Sequence, residues 1–268
     1  MLDFPDELEK ILAAVASGAL APSTAAARLR SGEVRYLDEF AVLDLGRRVR
    51  KGVPEVVYAP GKTPKQVARI CEALLASGER VVVSASSPEV TAEIQRHLPD
   101  VPVRSAGRAV VVGAGEPTPS GGRVGAISAG TSDVPVLEEA VAVAREMGAA
   151  VRSFHDVGVA GIHRLAAPLE ELRDFDPDCL IVAAGMEGAL PSVVASLASV
   201  PVIGLPTSTG YGLGGDGTAA ILSMLQSCSP GLSVVNVDNG VGAGVTAALV
   251  ANRAALTRAG ETNSTGPG

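Results

Sequence analysis

Residues 124–135 read VGAISAGTSDVP. A short apolar run ends in Ala-Gly-Thr-Ser-Asp, and Pro135 stands where it can open a helix. Run, polar loop and helix make one βα unit. The same pattern repeats outward from it. Strands are expected near 124–128, 150–154, 179–183, 201–205 and 233–237, and helices near 135–148, 161–173, 189–199, 214–228 and 240–256. Five such units in series dictate parallel strands, right-handed crossovers and helices on both faces, a three-layer αβα sandwich.

The first half has α/β character of its own. Residues 4–46 read as short helices: Leu8, Ile11, Leu12 and Val15 recur at helical spacing, Ser23 or Thr24 is placed to cap a second, and 37–45 suggest a third. Beyond them come a strand at 55–58, a helix at 64–77 opened by Pro64, a strand at 80–84 and a helix at 88–97. Two further short apolar runs follow, at 101–104 and 108–112. The Gly- and Pro-dense stretch 113–122 marks a boundary. The expected division is a smaller helical and α/β domain over 1–115, a catalytic domain over 120–256, and a disordered polar tail over 257–268.

Composition narrows the function. Of 268 residues 47% are apolar and 19% charged, with 31 glycines, which suits a buried parallel sheet with tight loops. Aromatics make up 3% and Trp is absent, so there is no stacking platform for single-stranded nucleic acid. A formal charge of −7 argues against general affinity for DNA or anionic membrane. No apolar run approaches the roughly 18–20 residues that span a bilayer. The acidic N-terminus is unlike a signal peptide, and three scattered cysteines without a CxxC pair fit neither a disulfide framework nor structural zinc. The expected setting is reduced and cytoplasmic.

Four loops follow the apolar runs of the second half: Ala129 to Asp133, His155 to Arg164, Ala184 to Gly188 and Pro206 to Gly212. In a parallel sheet they meet at the carboxyl edge, where open α/β folds bind ligands. Asp133 is either an N-cap or a proton handler, while Gly130, Thr131, Ser132 and the helix N-terminus suit an anionic group. Glu187 stands between glycines beyond an aliphatic strand, and Arg164, beside His163, is a natural phosphate fork. Cys71 and Cys179 read as buried small hydrophobes, whereas Ser, Pro and Gly around Cys228 describe an accessible thiol. The cations Arg47, Arg48, Arg50 and Lys51 read most simply as a solvated turn, though they could reach phosphates in a neighbouring cleft. Neither Gly61-Lys62-Thr63 nor Gly113-Ala114-Gly115 completes a known phosphate-loop or dinucleotide fingerprint.

Gly130-Thr131-Ser132-Asp133, Pro201 to Gly204 and the helix from Ala219 resemble PurE, the carboxyaminoimidazole ribonucleotide mutase/carboxylase, over roughly residues 120–256. The likeness breaks at Gly188-Ala189-Leu190-Pro191-Ser192, where PurE enzymes carry a catalytic His in a His-Leu-Pro-Gly run. A longer resemblance is to the LarB family, which makes pyridinium-3,5-biscarboxylic acid mononucleotide for the nickel-pincer cofactor. It rests on Gly46-Arg47, Tyr58 to Thr63, Ala129 to Pro135, Asp156 to Arg164, Gly185 to Pro191, Thr207 to Gly212, Ser227-Cys228 and Val237 to Gly240.

This resemblance implies a PurE-like C-terminal domain behind a smaller α/β N-terminal one. It implies C5 carboxylation of nicotinic acid adenine dinucleotide with CO2 or bicarbonate as co-substrate, and release of AMP. Cys228 would add to the ring, Asp133 or Glu187 would act as base, and Mg2+ would assist the hydrolytic half. Gly130, Thr131, Ser132, His163, Arg164, Met186, Gly188, Thr207 and Ser208 would bind substrate, with Arg47, Arg50 and Lys51 as further phosphate ligands. A helix over 214–228 would leave Cys228 about 20 Å from the loops of its own sheet. The expected solution is a homo-oligomer with composite sites, an octamer by analogy with PurE, and no nucleic-acid or membrane partner. A PurE-type reaction and a non-catalytic nucleotide-binding module are the alternatives.

Overall fold

The computed structural model describes residues 11–30, 34–38 and 40–264; Leu8 lies outside them. Residues 11–16 are helical, and α1 spans Pro22–Arg30. The third helix expected over 37–45 is instead a hairpin, β1 (Val34–Leu37) paired antiparallel with β2 (Ala41–Asp44). Side chains in β1 alternate between exposed and half-buried, a period of two, and Asp38 at φ 47° takes the left-handed conformation that reverses the chain. The basic turn is a single helical turn, α2 (Arg47–Lys51), closed by Gly52 in the left-handed region.

Next come β3 (Val56–Tyr58), α3 (Pro64–Ala76), β4 (Val81–Ser84), α4 (Pro88–His97), β5 (Val103–Ala106) and β6 (Ala109–Val112). Thr63 and Gln66 form a reciprocal capping box on α3, and the Ser87 hydroxyl caps α4. The four strands form a mixed sheet ordered β3-β4-β6-β5, parallel only between β3 and β4. On one face Val81, Val83, Val110 and Val112 pack against Ile70, Cys71 and Leu74 of α3 and Ile94 of α4.

The second half is β7 (Arg123–Ser128), α5 (Val134–Glu146), β8 (Ala150–Phe154), α6 (Ala166–Phe175), β9 (Cys179–Ala184), α7 (Leu190–Leu197), β10 (Val202–Pro206), α8 (Thr218–Leu225), β11 (Leu232–Val234) and α9 (Gly240–Ser264). Its five strands are all parallel, in the order β11-β10-β9-β7-β8. The helix expected over 161–173 begins only at Ala166, after a 3-10 segment over Val159–Leu165, and two others differ markedly in length. Helix α8 is only eight residues because Gly217, at φ 80°, delays its start and Gln226 ends it. Helix α9 runs to Ser264, past the expected end at 256, so 257–264 are helix rather than disordered tail; 265–268 lie outside the described residues. Arg258 holds this extension by pairing with Asp178 and donating to the Gly121 carbonyl. Among the described residues no helix is long and apolar enough to cross a membrane.

Helix α5 lies between the two sheets. Nine of its thirteen residues are buried, leaving a stripe through Val134, Glu138 and Arg145 open to solvent. Leu137, Ala140 and Val141 face the parallel sheet, while Ala142, Val143 and Ala144 meet Val82 and Val111 of the mixed sheet. Two acids seven residues apart share one face. Glu139 is 1% exposed and accepts from Ser84 Oγ (2.7 Å) and the Ala85 N–H (3.2 Å). Glu146 pairs with Arg80 at 2.6 Å, and its carbonyl accepts from Arg48 at 3.0 Å. Arg108 adds a cation 3.5 Å from Glu139, so both buried carboxylates are met by a cation and by donors of the N-terminal domain.

Helix α9 approaches α5 closely because Gly244 has no side chain: a Cβ there would drive into the Ala140 carbonyl oxygen and lie 2.9 Å from Val143 Cβ. Gly244→Ala should therefore destabilise the protein by about 1–3 kcal/mol through overpacking, despite alanine's better helix propensity. Urea unfolding would read the loss as a lower midpoint; an unchanged or higher midpoint would contradict this packing.

Candidate active site

The four loops converge as the sequence indicates. A cleft of about 400 Å3 at the carboxyl edge of the parallel sheet is lined by residues 129–133, by Asp156 and Arg164, by 184–187 with Ala189 and Leu190, and by Thr209. Gly130, Thr131, Ser132, Asp133, Arg164, Met186 and Glu187, all named from sequence, share this wall.

Asp133 is 3% exposed and both its oxygens are engaged. Oδ2 accepts the Gly130 N–H at 2.8 Å, and Oδ1 accepts from Thr207 Oγ1 at 2.5 Å. Thr207 is fully buried at the end of β10, and β9 separates β10 from β7. The bond thus straps two loops together across the end of β9. Two further links tighten the strap: Thr209 Oγ1 donates to the Ser132 carbonyl (3.4 Å), and the Met186 N–H donates to the Thr209 carbonyl (2.7 Å). Gly185 permits the approach, since a Cβ there would lie 2.7 Å from both Thr207 Oγ1 and Thr209 Cβ. In this state Asp133 is a positioning group. Two exposed carboxylates also line the cleft, Asp156, which pairs with Arg164, and Glu187.

The exposed Thr131 and Ser132 stand before the N-terminus of α5, whose first N–H groups carry partial positive charge. On the opposite wall Arg164 donates to the Asp156 carbonyl (2.7 Å) and pairs with its carboxylate (3.0 Å). Asp156 sits at φ 57° and Met186 at φ 52°, so both loops turn through the left-handed region. Thr131, Ser132 and Arg164 make the cleft suited to a phosphorylated ligand, with one carboxylate free to take a proton.

Other sequence candidates lie elsewhere. His163 is exposed and outside the lining, and Gly188 packs against Ala220 of α8. The Ser208 N–H donates to Asp238 (2.9 Å). Arg47 pairs with Glu55 (2.9 Å) and Arg50 with Asp44 (2.5 Å), while Lys51 is exposed; all three belong to the N-terminal domain. Burial pushes the thiols of Cys71 and Cys179 up to about 12, which leaves them inert. Cys228 is exposed, three residues beyond the end of α8, and does not line the cleft. The neighbouring Ser229 donates to the Ser192 carbonyl (2.8 Å) in the first turn of α7, two residues from the cleft-lining Leu190.

Asp156, a polar residue of the loop after β8, and Thr209, in the loop after β10, also line the cleft, though neither is among the binding or catalytic residues expected from sequence. Buried Glu139 carried no local signal, because its partners are 54 and 55 residues away in sequence.

Thr207→Val should cost about 1–3 kcal/mol by leaving the buried Asp133 oxygen without its donor. The exposed Glu187→Gln should stay within about 0.5 kcal/mol of wild type. Thermal unfolding separates the two; equal midpoints would remove the strap from the argument.

Similarity to known proteins agrees with this geometry. Residues 35–114 match the family described as LarB/PurE-like N-terminal domain, and 123–264 match AIR carboxylase. An uncharacterised protein of Methanocaldococcus jannaschii is 39% identical over 253 residues, covering 91% of this chain and 96% of its own. The N5-carboxyaminoimidazole ribonucleotide mutase of the same organism is 36% identical, covering 45% of this chain and 70% of the relative. The mutase of Thermotoga maritima is 30% identical, covering 48% and 74%. With an AIR carboxylase domain on the parallel sheet and a LarB-type domain on the mixed one, the chain belongs to the LarB family of PurE-fold proteins.

Proposed function

We propose that the protein carboxylates the pyridinium ring of nicotinic acid adenine dinucleotide at C5, taking up CO2 or bicarbonate, and hydrolyses its phosphoanhydride to release AMP. The observation that carries this reading is the pairing of a LarB-type N-terminal domain with a PurE-fold cleft that has no imidazole at the expected position. Ala189 lines the cleft there, with Glu187 two residues before it.

The chemistry follows from the ring. A pyridinium carbon is electron-poor and does not attack CO2. Addition of the Cys228 thiolate at C4 forms a C–S bond and discharges the ring cation, which makes C5 an enamine carbon. C5 attacks CO2, forming the C–C bond and an iminium at N1–C6. Glu187 then takes the C5 proton, the enamine returns, and expulsion of the thiolate restores the aromatic cation. One proton is released per CO2 fixed. Thr131, Ser132, Arg164 and the α5 N-terminus would hold the phosphate of the reacting half.

Cys228 lies outside the cleft lining of its own chain, so the scheme requires a neighbouring copy to present it. A homo-oligomer, an octamer on the PurE pattern, is the assembly proposed. Exposed Leu222 and Leu225 on α8, six and three residues before Cys228, supply an apolar surface for such a contact. Among the described residues no group of three His, Cys, Asp or Glu side chains can hold a metal, so Mg2+ would be carried by the substrate's diphosphate.

A PurE-type reaction on an aminoimidazole ribonucleotide is the second reading, favoured by the named mutases among the relatives. Labelled bicarbonate separates the two. Incubated with the dinucleotide, wild type should incorporate label into the ring and release AMP, with a transient adduct on Cys228 by mass spectrometry. Cys228→Ala should abolish incorporation, and Glu187→Gln should lower kcat by about 100- to 10,000-fold. Exchange of label into the aminoimidazole substrate, undiminished in Cys228→Ala, would overturn the scheme for the second reading. Light scattering should give an oligomer; a stable, active monomer would exclude composite sites.

A further inference from the structure

A second cleft, of about 500 Å3, opens between the two domains. Tyr58, Arg47 and Arg108 come to it from the N-terminal domain, and Asp238 and Asn239 from the loop after β11; buried Glu139 lies against its floor. We infer that this cleft binds the AMP half of the dinucleotide, so that one substrate spans both clefts. The inference rests on the function proposed above.

A single loop separates the two clefts. The Asp238 N–H donates to the Pro206 carbonyl (2.8 Å) and its Oδ1 accepts from the Ser208 N–H (2.9 Å), while Thr209, the next residue, lines the catalytic cleft. The two also share helix α5, with Asp133 at its N-cap under the first and Glu139 under the second. Six residues of helix rise about 9 Å. A diphosphate with its two riboses bridges such a gap.

The side chains suit a purine nucleotide. Tyr58, at the end of β3, is 57% exposed although it lines the cleft, and it offers an unoccupied ring for a base to stack on. Arg108 lies 3.5 Å from both Glu139 and Asp238, contacts at the long limit for such pairs. A phosphate can recruit it without breaking a short bond. Arg47 is already engaged by Asp44 and Glu55, so Arg108 is the lining cation that a phosphate can draw on. The half that stays chemically unchanged belongs here, because Glu187 lies in the other cleft.

Calorimetric titration of the full-length protein with AMP alone tests this, beside the KM for the dinucleotide. Tyr58→Ala should weaken AMP by about 5- to 150-fold and raise the dinucleotide KM in parallel. Tyr58→Phe, which keeps the ring, should recover the lost affinity, and Arg108→Lys should weaken AMP while leaving Glu139 a cationic partner. Nicotinic acid mononucleotide, which lacks the AMP half, should bind every variant as it binds wild type. If dinucleotide turnover proceeds but AMP binding ignores both Tyr58→Ala and Arg108→Lys, the subsite is refuted and the reaction stands. If AMP binds in a Tyr58-dependent way but the dinucleotide is never turned over, the subsite is supported and the proposed reaction fails.

Discussion

Everything in this molecule is referred to one buried helix. Residues 134–146 lie between a parallel and a mixed sheet, and the alanines on α5 let both layers close on it. Its solvated stripe carries Glu138 and Arg145, yet Glu139 and Glu146 lie on the enclosed part of the helix. Their burial is tolerable only because Ser84, Ala85 and Arg80 meet them from the other domain. Removing one partner from a buried pair costs on the order of 3–5 kcal/mol. The domain contact is therefore specific as well as apolar, and it fixes the register of the helix between the sheets.

That register determines what the active site can be. The same helix begins in the loop that holds Thr131, Ser132 and Asp133. Asp133 is occupied by Gly130 and Thr207, and its role is to hold the loops of β7 and β10 at a constant spacing. The separation of roles between two carboxylates follows from their surroundings: one is buried and doubly bonded, the other exposed at the rim. Loop packing around Gly185 and the turn at Met186 keep the exposed one at the cleft.

Much of this was legible in the sequence. Five aliphatic runs each followed by Gly, Ser, Thr, Asp or Glu announced the parallel sheet and its carboxyl-edge site, because a strand buried on both faces must be apolar and its polar residues collect at the end. The helix expected over 37–45 is half of a hairpin, because the consecutive apolar residues 40–43 fit either period and only Asp38 marks the turn. Helix α8 is shorter than the sequence suggests because Gln226, Ser227 and Cys228 offer no breaker before Pro230, while at its start Gly217 takes φ 80° close against Val237. Arg47 and Arg50 read as a solvated run, but their partners Asp44 and Glu55 were visible only once the chain had folded. Long-range pairs such as Glu139 with Ser84 leave no periodic trace at all.

Clamping α5 from both sides also governs how the molecule can move. A rotation of the N-terminal domain that kept Glu139 and Glu146 seated would carry the helix with it, and with it the N-terminal N–H groups that border the cleft. Motion between the domains and the shape of the cleft at Thr131 and Ser132 are then a single mechanical coordinate rather than two independent ones. Whatever steadies the mixed sheet from outside steadies that end of the cleft, at a distance and without touching it.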